Sequence, residues 1–117
     1  MPLYPFKVRD HEVIDHFTGS GYSLESDSKK ELRFINKSNG RLAAFNRVNK
    51  SHCLNLAFGT ASDFSAIIGV TKTSDGSMSS NLLGFPASLN KNGDLQTQGV
   101  RVVVANLTSI PAVLGAV

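Results

Sequence analysis

The chain has 117 residues, 41% of them hydrophobic and 18% charged, with a net charge of +3 at neutral pH. That length fits one domain able to bury a core without disulfides or metals, and the composition argues against disorder. A lone Cys53 excludes an internal disulfide, and no apolar run approaches the roughly 18 residues needed to span a bilayer.

The start, Met1-Pro2-Leu3-Tyr4-Pro5, lacks the basic segment and apolar run of a signal peptide, so the cytoplasm is the expected location. The sequons at Asn36, Asn49 and Asn106 then read as chance. Tyr4 to Val8 reads as a short strand. Asp10 reads as the N-cap of a first helix, because its carboxylate can accept from the unpaired amides of the first turn. Val13, Ile14 and Phe17 give that helix one apolar stripe, and Gly19 is placed to end it in a left-handed conformation. Gly19 to Ser28, rich in Gly and Ser, reads as a loop.

Leu32 to Ile35 and Leu42 to Val48 are strand-like runs flanking Asn39-Gly40, a strong local hairpin signal. A three-residue loop, Ser38-Asn39-Gly40, would pair Lys37 with Arg41. Leu32, Phe34, Leu42, Ala44 and Val48 would then share one face. Arg33, Ile35, Lys37, Arg41, Ala43, Phe45 and Arg47 would share the other. A two-residue loop would shift the register by one and mix these sets. A third strand is expected from His52 to Phe58. Thr60 to Asp63 resembles a helix start, with Phe64, Ile67 and Ile68 as the buried stripe and Gly69 as the stop. Residues 71–81 read as loop, Leu82 to Leu89 as ambiguous, and Asn90 to Asp94 as a turn. Gly99 to Ala105 has high strand propensity. A short helix from Thr108 or Ser109, with Pro111 in its first turn, closes the chain. Its last residues are apolar, which points to docking in the core or on a partner, or to a piece of a longer protein.

The expected fold is therefore a single α+β domain over residues 1–117. It has a small antiparallel sheet of about four or five strands built on the 31–58 meander, with two or three short helices on one face. The expected core is Leu32, Phe34, Leu42, Leu54, Leu56, Phe58, Phe64, Ile67, Ile68, Val102, Val104 and Leu114.

Charge is unevenly spread. Residues 1–28 hold Lys7 and Arg9 against Asp10, Glu12, Asp15, Glu25 and Asp27, a net −3. Residues 29–50 hold Lys29, Lys30, Arg33, Lys37, Arg41, Arg47 and Lys50 against Glu31 alone, a net +6. The remainder is neutral. Such a segment can neutralise phosphates and release their counterions, and an Arg-and-aromatic strand face can add base stacking. The sequence-derived function is thus a non-enzymatic nucleic-acid-binding, DNA-recognition module with a basic hairpin, its contacts assigned to Arg33, Lys37, Arg41, Phe45, Arg47 and Lys50. A solvated strand face would account for the same charges. The alternative is a small protein-binding inhibitor or adaptor, of the immunity or phage anti-defence type, capturing a protein partner or a second copy of itself through an apolar surface.

Catalytic and metal chemistry find little support. His11 and His16 stand five apart, roughly 140° around a helix, so they cannot ligate one metal as a helical pair. His52 and Cys53 would point to opposite faces of a strand, so the imidazole could not activate the thiol. Gly19-Ser20-Gly21 lacks the Lys-Ser/Thr and strand-to-helix context of a phosphate loop, and no G-x-S-x-G elbow occurs. The polar segment Ser77 to Asn81 needs no role beyond that of a loop. An enzyme would need a distant constellation, such as His52 with Asp63 or Asp75. No cofactor is expected, no metal and no membrane.

Overall fold

Alternating apolar residues from Leu32 to Leu56 build the centre of a sheet, and helices at both chain ends cover one side of it. The computed structural model describes residues 7–48, 50–77, 87–89 and 95–116. In chain order the elements are α1 (Val8–Thr18), β1 (Ser23–Asp27), β2 (Glu31–Ile35), β3 (Leu42–Asn46), β4 (His52–Leu56), α2 (Ala61–Phe64), β5 (Val70–Ser77), β6 (Ala87–Leu89), β7 (Leu95–Val104) and α3 (Ile110–Leu114). A turn of 3-10 helix, Leu107–Ser109, leads into α3. Six strands follow one antiparallel path, β1-β2-β3-β4-β7-β5, and β6 pairs with the first residues of β7. The fold is α+β, with more strands than the sequence reading counts.

The extra strands are those with the least apolar sequence. β1 (SLESD) and β5 (VTKTSDGS) occupy the two edges of the path. An edge strand pairs through its backbone on one side only and tolerates polar side chains, so composition alone reads it as loop. The segments read as loop are corrected in this way at 23–27 and 71–77, and residues 78–81 of the second lie outside the described residues. The expected strand at 4–8 falls partly outside the described residues, and its last residue, Val8, opens α1. The turn at 90–94 lies outside them altogether.

Helix α1 also starts earlier than expected. Lys7 is its N-cap, and Asp10 sits three residues in, where Oδ2 accepts the Lys7 backbone N–H at 2.8 Å. Gly19 stays right-handed at φ −65°. The left-handed turn is taken two residues later by Gly21, at φ +90°. Further on, α2 is short: Thr60 caps it as expected, but the helix ends at Phe64. Ile67 is then only half-buried, and Ile68 is 94% exposed rather than core.

One hydrophobic core joins the helices to a single sheet face. Val13 and Phe17 of α1, Phe64 of α2 and Ile110 and Val113 of α3 are fully buried with Leu32, Phe34, Phe45, Leu54, Leu56 and Val102. The Phe17 ring stacks on Phe34 at 3.9 Å between centroids, and Tyr22 meets Phe17 edge-on at 5.7 Å. Within the apolar chain end, Ile110, Val113 and Leu114 of α3 lie in this core, while Pro111, Ala112, Gly115 and Ala116 are exposed. Of the expected core, Leu42 and Phe58 are only half-buried, and Leu42 packs with Ala44 and Ala57 in a separate cluster.

Phe17 is the main apolar link between α1 and the sheet. Phe17→Ala should cost about 3–5 kcal/mol in a denaturant unfolding curve. A loss below about 1 kcal/mol would be incompatible with the stacked arrangement.

Candidate nucleic-acid interface

The hairpin between β2 and β3 decides where each basic side chain goes. Its loop contains four residues, 37–40. The Asn36 N–H donates to the Arg41 carbonyl at 2.9 Å, and the Gly40 N–H donates to the Asn36 carbonyl at 2.7 Å. Asn36 Oδ1 accepts from the Ser38 N–H and Asn39 Oδ1 from the Arg41 N–H, so the two amide side chains brace the turn. Gly40 is left-handed at φ +75°, as the sequence requires. The loop is one residue longer than the expected one. Leu32 therefore pairs with Phe45, Arg33 with Ala44 and Ile35 with Leu42.

That shift overturns the proposed facing. Phe45 turns into the core and is fully buried, so its ring is not available to stack on a base. Arg33 lies on the opposite sheet face. Its side chain is 8% exposed and sits 3.4 Å from Glu31, whose carboxyl is pushed up by burial against the pull of Arg33. Arg41 and Arg47 lie on the Phe45 side of β3 but at its two ends, about 20 Å apart along the strand. Arg41 covers the Phe58 ring at 4.7 Å, and Lys37 is exposed on the hairpin loop beside it. The three arginines share no common face.

Arg47 is a structural clamp. Its Nη2 is 2.9 Å from Asp10 Oδ2, with the two side chains 7% and 3% exposed. Its Nη1 donates to the Ser28 carbonyl at 2.6 Å, and its backbone N–H donates to the Lys30 carbonyl at 2.8 Å. One side chain thus ties the β3 end to the β1–β2 turn and to the first turn of α1. Arg9 repeats the connection from the helix side. Its guanidinium donates to the carbonyls of Arg47 at 3.0 Å and Lys50 at 3.4 Å, and lies 5.1 Å from the Phe45 ring centroid.

The consequence is a basic end to the sheet. In an antiparallel meander, alternate turns fall at the same end. The β1–β2 turn brings Lys29 and Lys30, the β3–β4 turn brings Lys50, and the start of α1 brings Lys7 and Arg9. Lys7, Lys29, Lys30 and Lys50 are exposed, and Arg9 is half-buried. Asp10, which follows Arg9, is paired with Arg47. Of the six residues assigned from sequence, only Lys50 stands here in the open. Lys7 and Arg9 were hidden in a segment of net negative charge. The rule that turns alternate between sheet ends would have grouped the others.

The catalytic alternative is not assembled. Asp63 Oδ2 accepts the Thr60 N–H at 2.7 Å, and Asp75 Oδ1 accepts the Ala61 N–H at 2.8 Å, so both carboxylates cap α2. His52 stands at the other end of β4, opposite Val104, whereas Asp75 pairs with Val100 and so with the Leu56 end. Burial pushes the Cys53 thiol up, against the pull of Arg101. Among the described residues no three His, Cys, Asp or Glu side chains are grouped to hold a metal ion, and no helix is long and apolar enough to cross a membrane. No family model, curated protein or solved structure matches the chain.

Two outcomes test this geometry. Asp10→Ala leaves the Arg47 guanidinium buried without its counter-charge and should lower unfolding free energy by about 3–5 kcal/mol. Asp10→Ala combined with Arg47→Met should recover much of that loss, as read by urea denaturation. Cys53, 2% exposed, should alkylate with iodoacetamide at pH 8 at least about a hundredfold more slowly in the native protein than in urea. Equal rates would place the thiol outside the sheet.

Proposed function

We propose that this chain is a nucleic-acid-binding module without a catalytic role, holding the phosphate backbone on the basic end of its sheet. The observation that supports the reading is the gathering of Lys7, Arg9, Lys29, Lys30 and Lys50 from three separate segments around the Arg47–Asp10 clamp. Lysines on turns are point charges with mobile stems, suited to phosphates rather than to base edges. With Phe45 in the core, affinity rests on charge and counterion release, not on stacking. The protein-binding alternative drew on the apolar chain end, and Ile110, Val113 and Leu114 are packed inside.

Fluorescence anisotropy with labelled duplex and single-stranded oligonucleotides tests the reading. Three or four phosphate contacts predict a slope of log affinity against log salt of about −3. Lys29→Ala, Lys30→Ala and Lys50→Ala together should flatten the slope to about −1 and leave the melting temperature within a few degrees. Arg41→Ala, at the far end, should leave binding unchanged while losing about 0.5–1 kcal/mol from its ring contact. No retention of any strand at about 50 mM salt would overturn the function.

A further inference from the structure

The basic end also holds a cleft of about 360 Å³ between the first turns of α1, the start of β4 and the segment leading into α3. That volume lies at the small end of the ~300–1,000 Å³ range of ligand pockets, the scale of a single nucleotide. Val8 and Leu107 give it apolar walls, and Glu12, His52, Asn106 and Thr108 give it polar groups. Arg9 also borders it, but its guanidinium is engaged by the Arg47 and Lys50 carbonyls and the Phe45 ring.

The charge pattern selects the ligand. His52 is drawn down by burial and by Arg9, with Glu12 acting the other way, so the ring is neutral near pH 7. Its Nδ1 is buried without a hydrogen-bond partner. A bare lone pair there costs less than a bare N–H, which leaves the proton on Nε2. The Glu12 carboxylate accepts hydrogen bonds only and repels a phosphate. A phosphate is therefore disfavoured inside the cleft and favoured on the lysines beside it. On the nucleic-acid reading the group inside is then a base rather than a phosphate, and it must bring adjacent N–H donors to Glu12.

Among nucleobases, guanine meets these terms. Its Watson–Crick edge offers N1–H and the 2-amino group side by side, matching the two oxygens of one carboxylate. Adenine and cytosine place an acceptor nitrogen beside their amino group, and uracil and thymine flank one N–H with carbonyls, so each would turn a lone pair toward Glu12. Building on the nucleic-acid reading, we propose that the cleft receives an unpaired guanine base of the bound strand, its N1–H and 2-amino group on Glu12, with the adjoining phosphate on Lys7 and Lys50. The Asn106 amide, the Thr108 hydroxyl and the His52 Nε2–H are donors in the same lining for the guanine O6.

The test uses the full chain and three small probes in NMR titrations: guanosine 5′-monophosphate, inosine 5′-monophosphate and ribose 5-phosphate. The guanine nucleotide should bind about tenfold tighter than ribose 5-phosphate and shift the His52 and Leu107 resonances, with the inosine nucleotide, lacking the 2-amino group, in between. Glu12→Gln, an exposed change, should abolish that advantage and leave the melting temperature unchanged. Equal affinities for all three probes, or shifts confined to the lysines, would overturn the proposal. A single strand containing guanine and the same strand with that base removed separate the two levels. Retention of both strands with a steep salt slope, alongside equal probe affinities, removes the guanine site and keeps the nucleic-acid reading. No retention of either strand, with the guanine advantage and its loss in Glu12→Gln intact, removes that reading and keeps the cleft as a nucleotide site.

Discussion

The register of the β2–β3 hairpin is the constraint on which the rest of the molecule depends. Because side chains alternate along a strand, one residue in the loop decides which side of the sheet every β3 side chain enters. The four-residue loop sends Ala43 and Phe45 to the helix side, and Leu42 and Ala44 to the other. Arg47 follows Phe45. It therefore arrives beside α1, where Asp10 waits, and not on an open face.

That meeting shapes the basic end. A buried ion pair contributes little net stability, because desolvating two charges nearly cancels their attraction. Its value here is geometric. Arg47 needs Asp10 and the Ser28 carbonyl to satisfy its guanidinium, and this fixes the β1–β2 turn and the helix start against the end of β3. Arg9 adds a second tie across the same gap and covers Phe45. The lysines on those segments are brought together because the segments are. Specificity of arrangement, rather than energy, is what the buried pair contributes.

The interior elements were legible from sequence. Leu32, Phe34, Leu54 and Leu56 announce themselves by alternation, and Val100 to Val104 by propensity, since each belongs to a central strand whose alternate residues enter the core. Thr60 with Asp63 marks the start of α2, and Pro111 marks the first turn of α3. The edge strands β1 and β5 were not legible. Their stability comes from pairing with a neighbour distant in sequence or from a polar ladder, and neither leaves an apolar signature. The start of α1 was misplaced for a related reason. Asp10 can accept a first-turn amide from the cap position or the cap residue's own N–H from the third position, and the helix starting at Val8 puts it in the third.

The amino-acid sequence by itself determined the α+β class, the central meander, the Asn-Gly turn and the excess of positive charge between residues 29 and 50. These follow from local rules: alternation, capping chemistry and turn geometry act between residues close in the chain. Only the tertiary structure decided which of those charges are structural and which face solvent. Arg33 and Arg47 became buried partners, Arg41 a cover for Phe58 and Phe45 a core residue, while Lys7 and Arg9, from an acidic segment, joined Lys29, Lys30 and Lys50. The reason is physical. A charge's role depends on its burial and on the neighbour that engages it, and for Arg47 and Arg9 those neighbours are supplied by strand register and helix docking across 37 or more residues of chain.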